Sequence, residues 1–321
     1  MKKKILFFTG TRAEFGLLSG LIHQFLNDEK YQTEILVSGM HLEEKFGYTL
    51  NEITQSGFIA TYKVPIDLFE DSKMSTVRSM GKGLVGYAEV VSDAQPDLAF
   101  VLGDRFESFS FVSACQVIGI PVAHIHGGEV TEGAIDDAFR HAMTKMSHVH
   151  FTSAEVHSQR IVQMGESPSF VFNVGALGVD NCLQINKIER KELEKELGIV
   201  FKEDSYLVTF HPETISNQTI ESQIEEFLAG LQTQIKFQPI FVITLPNTDP
   251  GHSVIIDKIL SWASLYPECV KVFKNLGLLR YLSIMSCVKA VLGNSSSGLI
   301  EAPAMKVATI NVGDRQKGRL Q

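Results

Sequence analysis

Short apolar runs alternate with longer amphipathic stretches from one end of the chain to the other. That alternation is the pattern of strand and helix units wound around parallel sheets, so an α/β fold is expected. In the first half the runs predict strands over 5–9, 34–38, 98–102, 122–126, 149–152 and 170–174. Leu17, Leu18, Leu21, Ile22, Phe25 and Leu26 recur at helical spacing, and Ser153 is placed to cap a helix running to Met164. After Asn-Val-Gly-Ala-Leu-Gly-Val-Asp at 173–180 the alternation starts again. Strands are predicted near 206–210, 240–244, 270–273, 290–292 and 308–312, and helices near 189–197, 218–234, 253–263 and 278–285. The two glycines and weak periodicity of 174–180 mark an interdomain hinge. The chain therefore reads as two similar α/β lobes facing each other, with no tandem repeat or low-complexity tract.

Composition fits this reading. The chain has 321 residues, and 44% of them are hydrophobic, enough to fill two cores. A formal net charge of −8, with no basic block beyond Lys2 to Lys4, argues against a nucleic-acid surface. A phosphorylated substrate would then depend on local arginines and helix termini. The four cysteines, Cys115, Cys182, Cys269 and Cys287, are scattered without a Cys-x-x-Cys pair and read as reduced core thiols. The start, Met-Lys-Lys-Lys-Ile-Leu-Phe-Phe, has no small-residue cleavage site and reads as the first strand of a cytoplasmic protein. No apolar run is long enough to span a bilayer, so no membrane partner is expected.

Polar residues gather where the predicted strands end. The clusters are Thr9-Gly-Thr-Arg12, Ser38-Gly-Met-His41, Gly103-Asp-Arg105, His126-Gly-Gly-Glu129, His211-Pro-Glu213, Pro246-Asn-Thr-Asp249, Gly293-Asn-Ser-Ser-Ser297 and Gly313-Asp-Arg315. Any one of them is equally an ordinary turn or cap. Their recurrence at carboxyl ends, where open α/β sheets bind ligands, favours a shared cleft. Gly293-Asn-Ser-Ser-Ser-Gly298 runs into Leu-Ile-Glu301-Ala as a serine-rich loop opening a helix, a candidate diphosphate site or simply an N-cap by Ser295 or Ser296. Neither G-x-G-x-x-G nor G-x-x-x-x-G-K-[ST] occurs. Gly10 to Gly16 takes the corresponding place after the first strand, with Arg12 able to reach a phosphate. Of the arginines near these clusters, Arg12, Arg105, Arg140, Arg315 and Arg319, the best placed are Arg12 and Arg315; each taken singly is more often a surface ion pair.

The densest tract is His124-Ile-His126-Gly-Gly-Glu129, followed by Asp136, Asp137, Arg140 and His141. His124 and His126 alternate on the predicted strand and so share a face, which raises a metal reading with Glu129, Asp136 or His141 as further ligands. No second metal-type motif occurs, and carboxylates engaged in acid and base work account for the tract as well, so no metal is assigned. Asp136 and Arg140, four apart, also suit an ordinary helix ion pair.

Taken in order, Thr-Gly-Thr-Arg-Ala-Glu-Phe-Gly, Gly103-Asp-Arg-Phe-Glu, His124-Ile-His-Gly-Gly-Glu-Val, Ile135-Asp-Asp-Ala-Phe-Arg-His141, His211-Pro-Glu, Gly293-Asn-Ser-Ser-Ser-Gly and Gly313-Asp-Arg-Gln-Lys-Gly-Arg319 closely resemble the hydrolysing UDP-N-acetylglucosamine 2-epimerases. The resemblance covers essentially the whole chain. It implies a GT-B-like pair of Rossmann-type domains, 1–176 and 177–321, with parallel sheets facing across a cleft that holds the UDP-sugar. The second domain would lack the family's final helices, which pack back across the first. It also implies conversion of UDP-N-acetylglucosamine and water to N-acetylmannosamine and UDP without a cofactor, by a homodimer or higher homo-oligomer.

Removing the C2 proton while expelling UDP from C1 gives a glycal, and water then adds at C1 as C2 is protonated from the other face. Such chemistry needs carboxylates of unlike acidity and stabilisation of the departing diphosphate. Carried over by motif, Asp104 and Asp136 fall on acid and base positions, and His211 on the histidine that meets substrate and leaving phosphate. Arg12, Gly16, Arg105, Arg140, Asn247, Ser295, Ser296, Glu301 and Arg315 are the implied substrate-binding residues. Many relatives carry a glutamate where this chain has His126, so either His126 or Glu129 fills that catalytic role. The nearest rival reading is the same reaction on UDP-N,N′-diacetylbacillosamine. Beyond it lie a nonhydrolysing epimerase, a GT-B glycosyltransferase, a metal-dependent hydrolase and a nucleotide-sugar-binding regulatory module without turnover.

Overall fold

Every strand pairing in the computed structural model, which describes residues 2–68, 70–132 and 134–320, is parallel. The chain forms two compact units, Met1–Val130 with Ile135–Leu177, and Thr131–Ala134 with Gly178–Gln321. In the first, strands β1 (Lys3–Thr9), β2 (Tyr31–Ser38), β3 (Tyr62–Val64), β4 (Leu98–Leu102), β5 (Val122–Ile125), β6 (Val149–Thr152) and β7 (Val171–Asn173) form one sheet of order β3-β2-β1-β4-β5-β6-β7. Helices α1 (Arg12–Asn27), α2 (Leu50–Gln55), α3 (Lys73–Ala94), α4 (Phe106–Ile118), α5 (Asp136–Met146) and α6 (Glu155–Gln163) connect them. Central strands are covered on both faces, which is why they read as unbroken apolar runs. Leu6 and Phe8 of β1 enter one core with Tyr87, Phe111 and Met143, while Ile5 and Phe7 enter the other with Leu18, Ile22 and Ile53.

Helix α7 (Leu177–Gln184) begins inside the expected hinge stretch, and the division between the units falls between Leu177 and Gly178. The second unit then runs α8 (Arg190–Leu197), β8 (Ser205–Thr209), α9 (Ile220–Gln232), β9 (Ile240–Thr244), α10 (His252–Leu265), β10 (Val270–Phe273), α11 (Gly277–Met285), β11 (Ala290–Gly293), α12 (Glu301–Ala304) and β12 (Ala308–Asn311). Its sheet has the order β10-β9-β8-β11-β12. In each sheet the winding reverses beside its first strand, between β1 and β4 and between β8 and β11. Ligands of doubly wound sheets bind beyond the strand ends at such a reversal. Gly10 to Arg12 and Gly103 to Arg105 stand at the first, and Phe210 to Glu213 and Gly293 to Ser297 at the second.

Several elements depart from the expectation. The edge strand β3 is not predicted by the pattern, because Tyr-Lys-Val is too short to show a period of two. The strand expected over 122–126 stops at Ile125, since His126 takes a left-handed conformation with φ of 63°. His124 and His126 therefore do not share a strand face. The stretch 170–174 is shortened to β7 by a 3-10 turn over Pro168–Phe170. Ser153 does not cap α6; Ala154 is the capping residue, and the Ser153 hydroxyl is spent on Glu129 instead. Among the described residues no helix is long and apolar enough to cross a membrane.

Glycine is required where β11 ends. Gly293 has φ of 125°, and a Cβ there would run into the carbonyl oxygen of Thr209 on β8. Gly293→Ala should destabilise the protein by about 3 kcal/mol or more, through strain and backbone displacement. Gly81 lies inside α3 with open space around it, so Gly81→Ala should stabilise by about 0.5–1 kcal/mol. Chemical denaturation of both variants checks the pair, and similar effects at the two positions would contradict it.

Candidate active site

At the first reversal, α5 brings Arg140 under the turn that comes after β4. Arg140 is the largest fully buried side chain, 1% exposed, and it donates a charge-assisted hydrogen bond to Asp104 Oδ2. A second contact of 3.6 Å reaches Asp137 one turn back on the same helix. Arg140 thus pairs with Asp104 and Asp137, and Asp136 stands half-buried at the first position of α5. The turn itself is held by His124, whose Nε2 lies 2.7 Å from the carbonyl oxygen of Gly103. Burial lowers the pKa of His124 to about 4, so it is neutral and donates there. A histidine committed in this way braces Asp104; among the described residues no group of three His, Cys, Asp or Glu side chains is arranged to hold a metal ion.

His126 and Glu129 form a dyad across a tight turn. His126 Nδ1 lies 3.4 Å from Glu129 Oε1, which also accepts a 2.7 Å hydrogen bond from Ser153. On the other side of the ring, Nε2 accepts from the backbone N–H of Leu177 at 3.4 Å. The turn permits little else. At Gly128, φ is 75°, and a Cβ would approach the carbonyl oxygen of His157 to 2.5 Å. The left-handed φ of His126 is a strained arrangement of the kind that accumulates at functional sites.

At the start of α1, against α4, lies a buried network that none of the strand-end motifs reveals. Glu14 Oε2 accepts from the backbone N–H groups of Gly10 at 2.8 Å and Thr11 at 3.0 Å, so those amides are not open to a phosphate. Thr11 caps the same helix in return, closing a capping box that Thr-x-x-Glu could have signalled. Beside it Glu107 holds Arg105 along one guanidinium edge, Nε at 3.1 Å and NH2 at 3.2 Å. Arg105 is 8% exposed and belongs to this network. Burial, then the charge of Glu107, raises the pKa of Glu14 to about 7. Arg12 and Gly16 are half-buried on α1. His41 beneath them, its pKa lowered to about 3 by burial, bridges the hydroxyls of Thr9 and Thr49 at 3.0 and 2.8 Å.

In the second unit the residues around His211 are fixed by Asn294. The amide of Asn294 accepts from the His211 N–H at 2.7 Å and donates to the His211 carbonyl at 2.8 Å. Asn247 contributes its backbone N–H to His211 Nδ1 at 3.3 Å. With Nδ1 an acceptor, a neutral His211 ring carries its proton on Nε2. Arg315 touches the Asn294 carbonyl at 3.3 Å and Asp249 at 3.5 Å, and Glu213 anchors the Asp314 amide at 2.8 Å. Ser295 accepts from the Ser297 amide at 3.4 Å, so it does cap, but it caps a 3-10 turn, Ser296–Gly298, and only the single turn α12 comes after. The expected helix at this loop is too short for its dipole to matter, and any anion would rely on Ser295, Ser296 and nearby amides. Glu301 is buried against Gly178, where a Cβ would collide with its carboxylate.

The family description for UDP-N-acetylglucosamine 2-epimerases matches residues 23–321. The chain belongs to this family. A Campylobacter jejuni relative named GDP/UDP-N,N′-diacetylbacillosamine 2-epimerase (hydrolyzing) is 40% identical over 320 residues, 100% of this chain and 83% of that one. The Polysialic acid biosynthesis protein P7 of Escherichia coli is 38% identical over 99% of this chain and 81% of its own length. Among solved structures, the UDP-GlcNAc 2-epimerase of Neisseria meningitidis bound to UDP-GlcNAc superposes with a TM-score of 0.82 at 19% identity, covering 98% of this chain and 83% of that one. The likeness establishes the GT-B-like fold class of this epimerase family, with its two parallel sheets and flanking helices.

Within that fold the burial of Arg140 has a measurable consequence. Arg140→Met leaves the Asp104 and Asp137 carboxylates facing an apolar side chain. A loss of about 3 kcal/mol is expected, the low end for a broken buried pair because Asp104 and Asp137 keep some contact with solvent. Chemical denaturation measures it, and a loss under about 1 kcal/mol would show that the pair contributes little.

Proposed function

We propose that this protein is a hydrolysing 2-epimerase whose substrate is UDP-N,N′-diacetylbacillosamine. Water and the UDP-sugar would yield UDP and the free 2,4-diacetamido sugar of manno configuration. The observation that carries the reading of substrate is the 40% identity to the Campylobacter jejuni relative across the whole chain, joined by a 33% identical Legionella pneumophila protein also named for UDP-N,N′-diacetylbacillosamine. The reading with UDP-N-acetylglucosamine stands second, favoured by the 38% identical Escherichia coli relative named for polysialic acid biosynthesis.

In the proposed mechanism a base removes the C2 proton, the C1=C2 double bond forms and the C1–O bond breaks, its electron pair leaving with UDP. Water then adds through its oxygen to C1, and C2 receives a proton on the opposite face. Asp104, Asp136 and the His126–Glu129 dyad are the groups proposed for proton transfer at the sugar. His211, with its proton on Nε2, is proposed to stabilise the departing phosphate oxygen. Arg12, Ser295, Ser296, Glu301, Asn247 and Arg315 are proposed to hold the nucleotide. Domain limits at 1–176 and 177–321, a cytoplasmic location and a homo-oligomeric state are part of the same proposal.

Turnover in deuterated water followed by NMR, with each UDP-sugar offered separately and no acceptor present, tests it. Release of UDP with a free manno-configured sugar deuterated at C2 is expected, faster with the diacetamido substrate. Retention of hydrogen at C2, or no UDP release from either sugar, would reject the mechanism. Asp104→Asn should lower kcat about 10²- to 10⁴-fold with UDP affinity nearly unchanged, since the lost function is proton transfer. Arg315→Ala should weaken UDP binding by about 1.5–3 kcal/mol, and an unaltered titration curve would remove Arg315 from the nucleotide site.

A further inference from the structure

A capping-box glutamate ordinarily lies on the surface, where its carboxylate stays ionised at neutral pH. Glu14 is buried and sits in company that makes a negative charge unwelcome. From α4 it faces Glu107 and Arg105, which already pair with each other, and the Ser108 hydroxyl, 3.3 Å from its Oε1. From α3 the Tyr87 phenol also feels its charge. Its Oε2 holds the amides of Gly10 and Thr11 that set the shape of the turn leading to Arg12. With Glu14 ionised, Glu14, Glu107 and Arg105 carry a net charge of −1 by formal count; with Glu14 protonated they are neutral.

We propose that Glu14 is a positioning residue whose protonation from solvent is completed when the anionic nucleotide binds beside Arg12. This rests on the functional reading above, in which Arg12 meets the diphosphate. The geometry permits the change without loss of the turn. A proton on Oε1 faces the Ser108 hydroxyl, which accepts it, while Oε2 keeps both amides. An incoming diphosphate adds negative charge near a carboxyl already beside Glu107 and so favours its protonated form. The complex then holds more protons than the free protein, and affinity falls as pH rises above neutrality. Glu14 thus lets the loop bear an arginine for the phosphate without a second buried anion beneath it.

Glu14→Gln mimics the protonated state, with its amide oxygen on the Gly10 and Thr11 amides and its NH2 toward Ser108. UDP binding to the wild type and to E14Q, titrated calorimetrically at several pH values in buffers of different ionisation enthalpy, is the test. UDP's own ionisation is common to both proteins and cancels in the comparison. The wild type should take up about half a proton more than E14Q at pH 7, and its affinity relative to E14Q should fall about tenfold from pH 6 to 8.5. Equal proton counts and parallel affinity profiles would overturn the role of Glu14 while leaving nucleotide binding intact. No UDP binding to the wild type at any pH would overturn the functional reading and this inference with it. If E14Q folds poorly, infrared difference spectra of the wild type at pH 8 serve instead. UDP should produce a protonated-carboxyl band, and its absence counts against the proposal.

Discussion

Among the described residues all the strands run in parallel, and the placement of the strand-end clusters depends on that constraint. Parallel strands cannot be joined by tight hairpins, so each crossover carries a helix and every strand in a sheet ends on the same side. The reversal of winding beside β1 and β8 then leaves a gap between neighbouring crossovers, and the residues just past those strands are presented there. Asp104 and His211 each flank the reversal of their own sheet, Asp104 past β4 and His211 past β8. Neither is on a long mobile loop; each lies within two residues of the end of a buried central strand.

The cost of gathering ionisable groups at such strand ends is handled by pairing and by neutrality. Arg140 and Arg105 are each buried against carboxylates, and His124 and His41 remain uncharged because burial penalises the imidazolium. The consequence for chemistry is rigidity. Asp104 is held from one side by Arg140 and from behind by the turn that His124 secures, so its carboxylate is fixed in place, as the proposed proton transfer would require.

Most of the fold was legible because the central strands are buried on both faces and appear as apolar runs, as at 98–102 and 240–244. What escaped was set by contacts distant in sequence or by backbone geometry. β3 exists because it pairs with β2, and its own residues carry no pattern. His126 leaves the strand because the turn after it imposes a left-handed conformation, which no spacing of histidines reveals. Ser153 had every attribute of a cap, yet Glu129, 24 positions earlier, draws its hydroxyl away. The candidate site was readable as motifs, whereas its internal wiring was not. Glu107 lay in plain view beside Arg105, but the pair becomes significant only once Glu14 from α1 is seen to share its buried space.

The clamp of Asn294 on His211 has a mechanical meaning. By matching both the donor and the acceptor of one residue's main chain, a single side-chain amide splices the ends of β8 and β11 together much as a crossed pair of ladder bonds would. Gly293 lets the two strand ends come close enough for the splice, and Gln316 and Arg315 grip the Asn294 carbonyl from beyond β12. One residue thereby ties the main chain of the histidine to the serine loop and to the arginine segment, three stretches far apart in sequence.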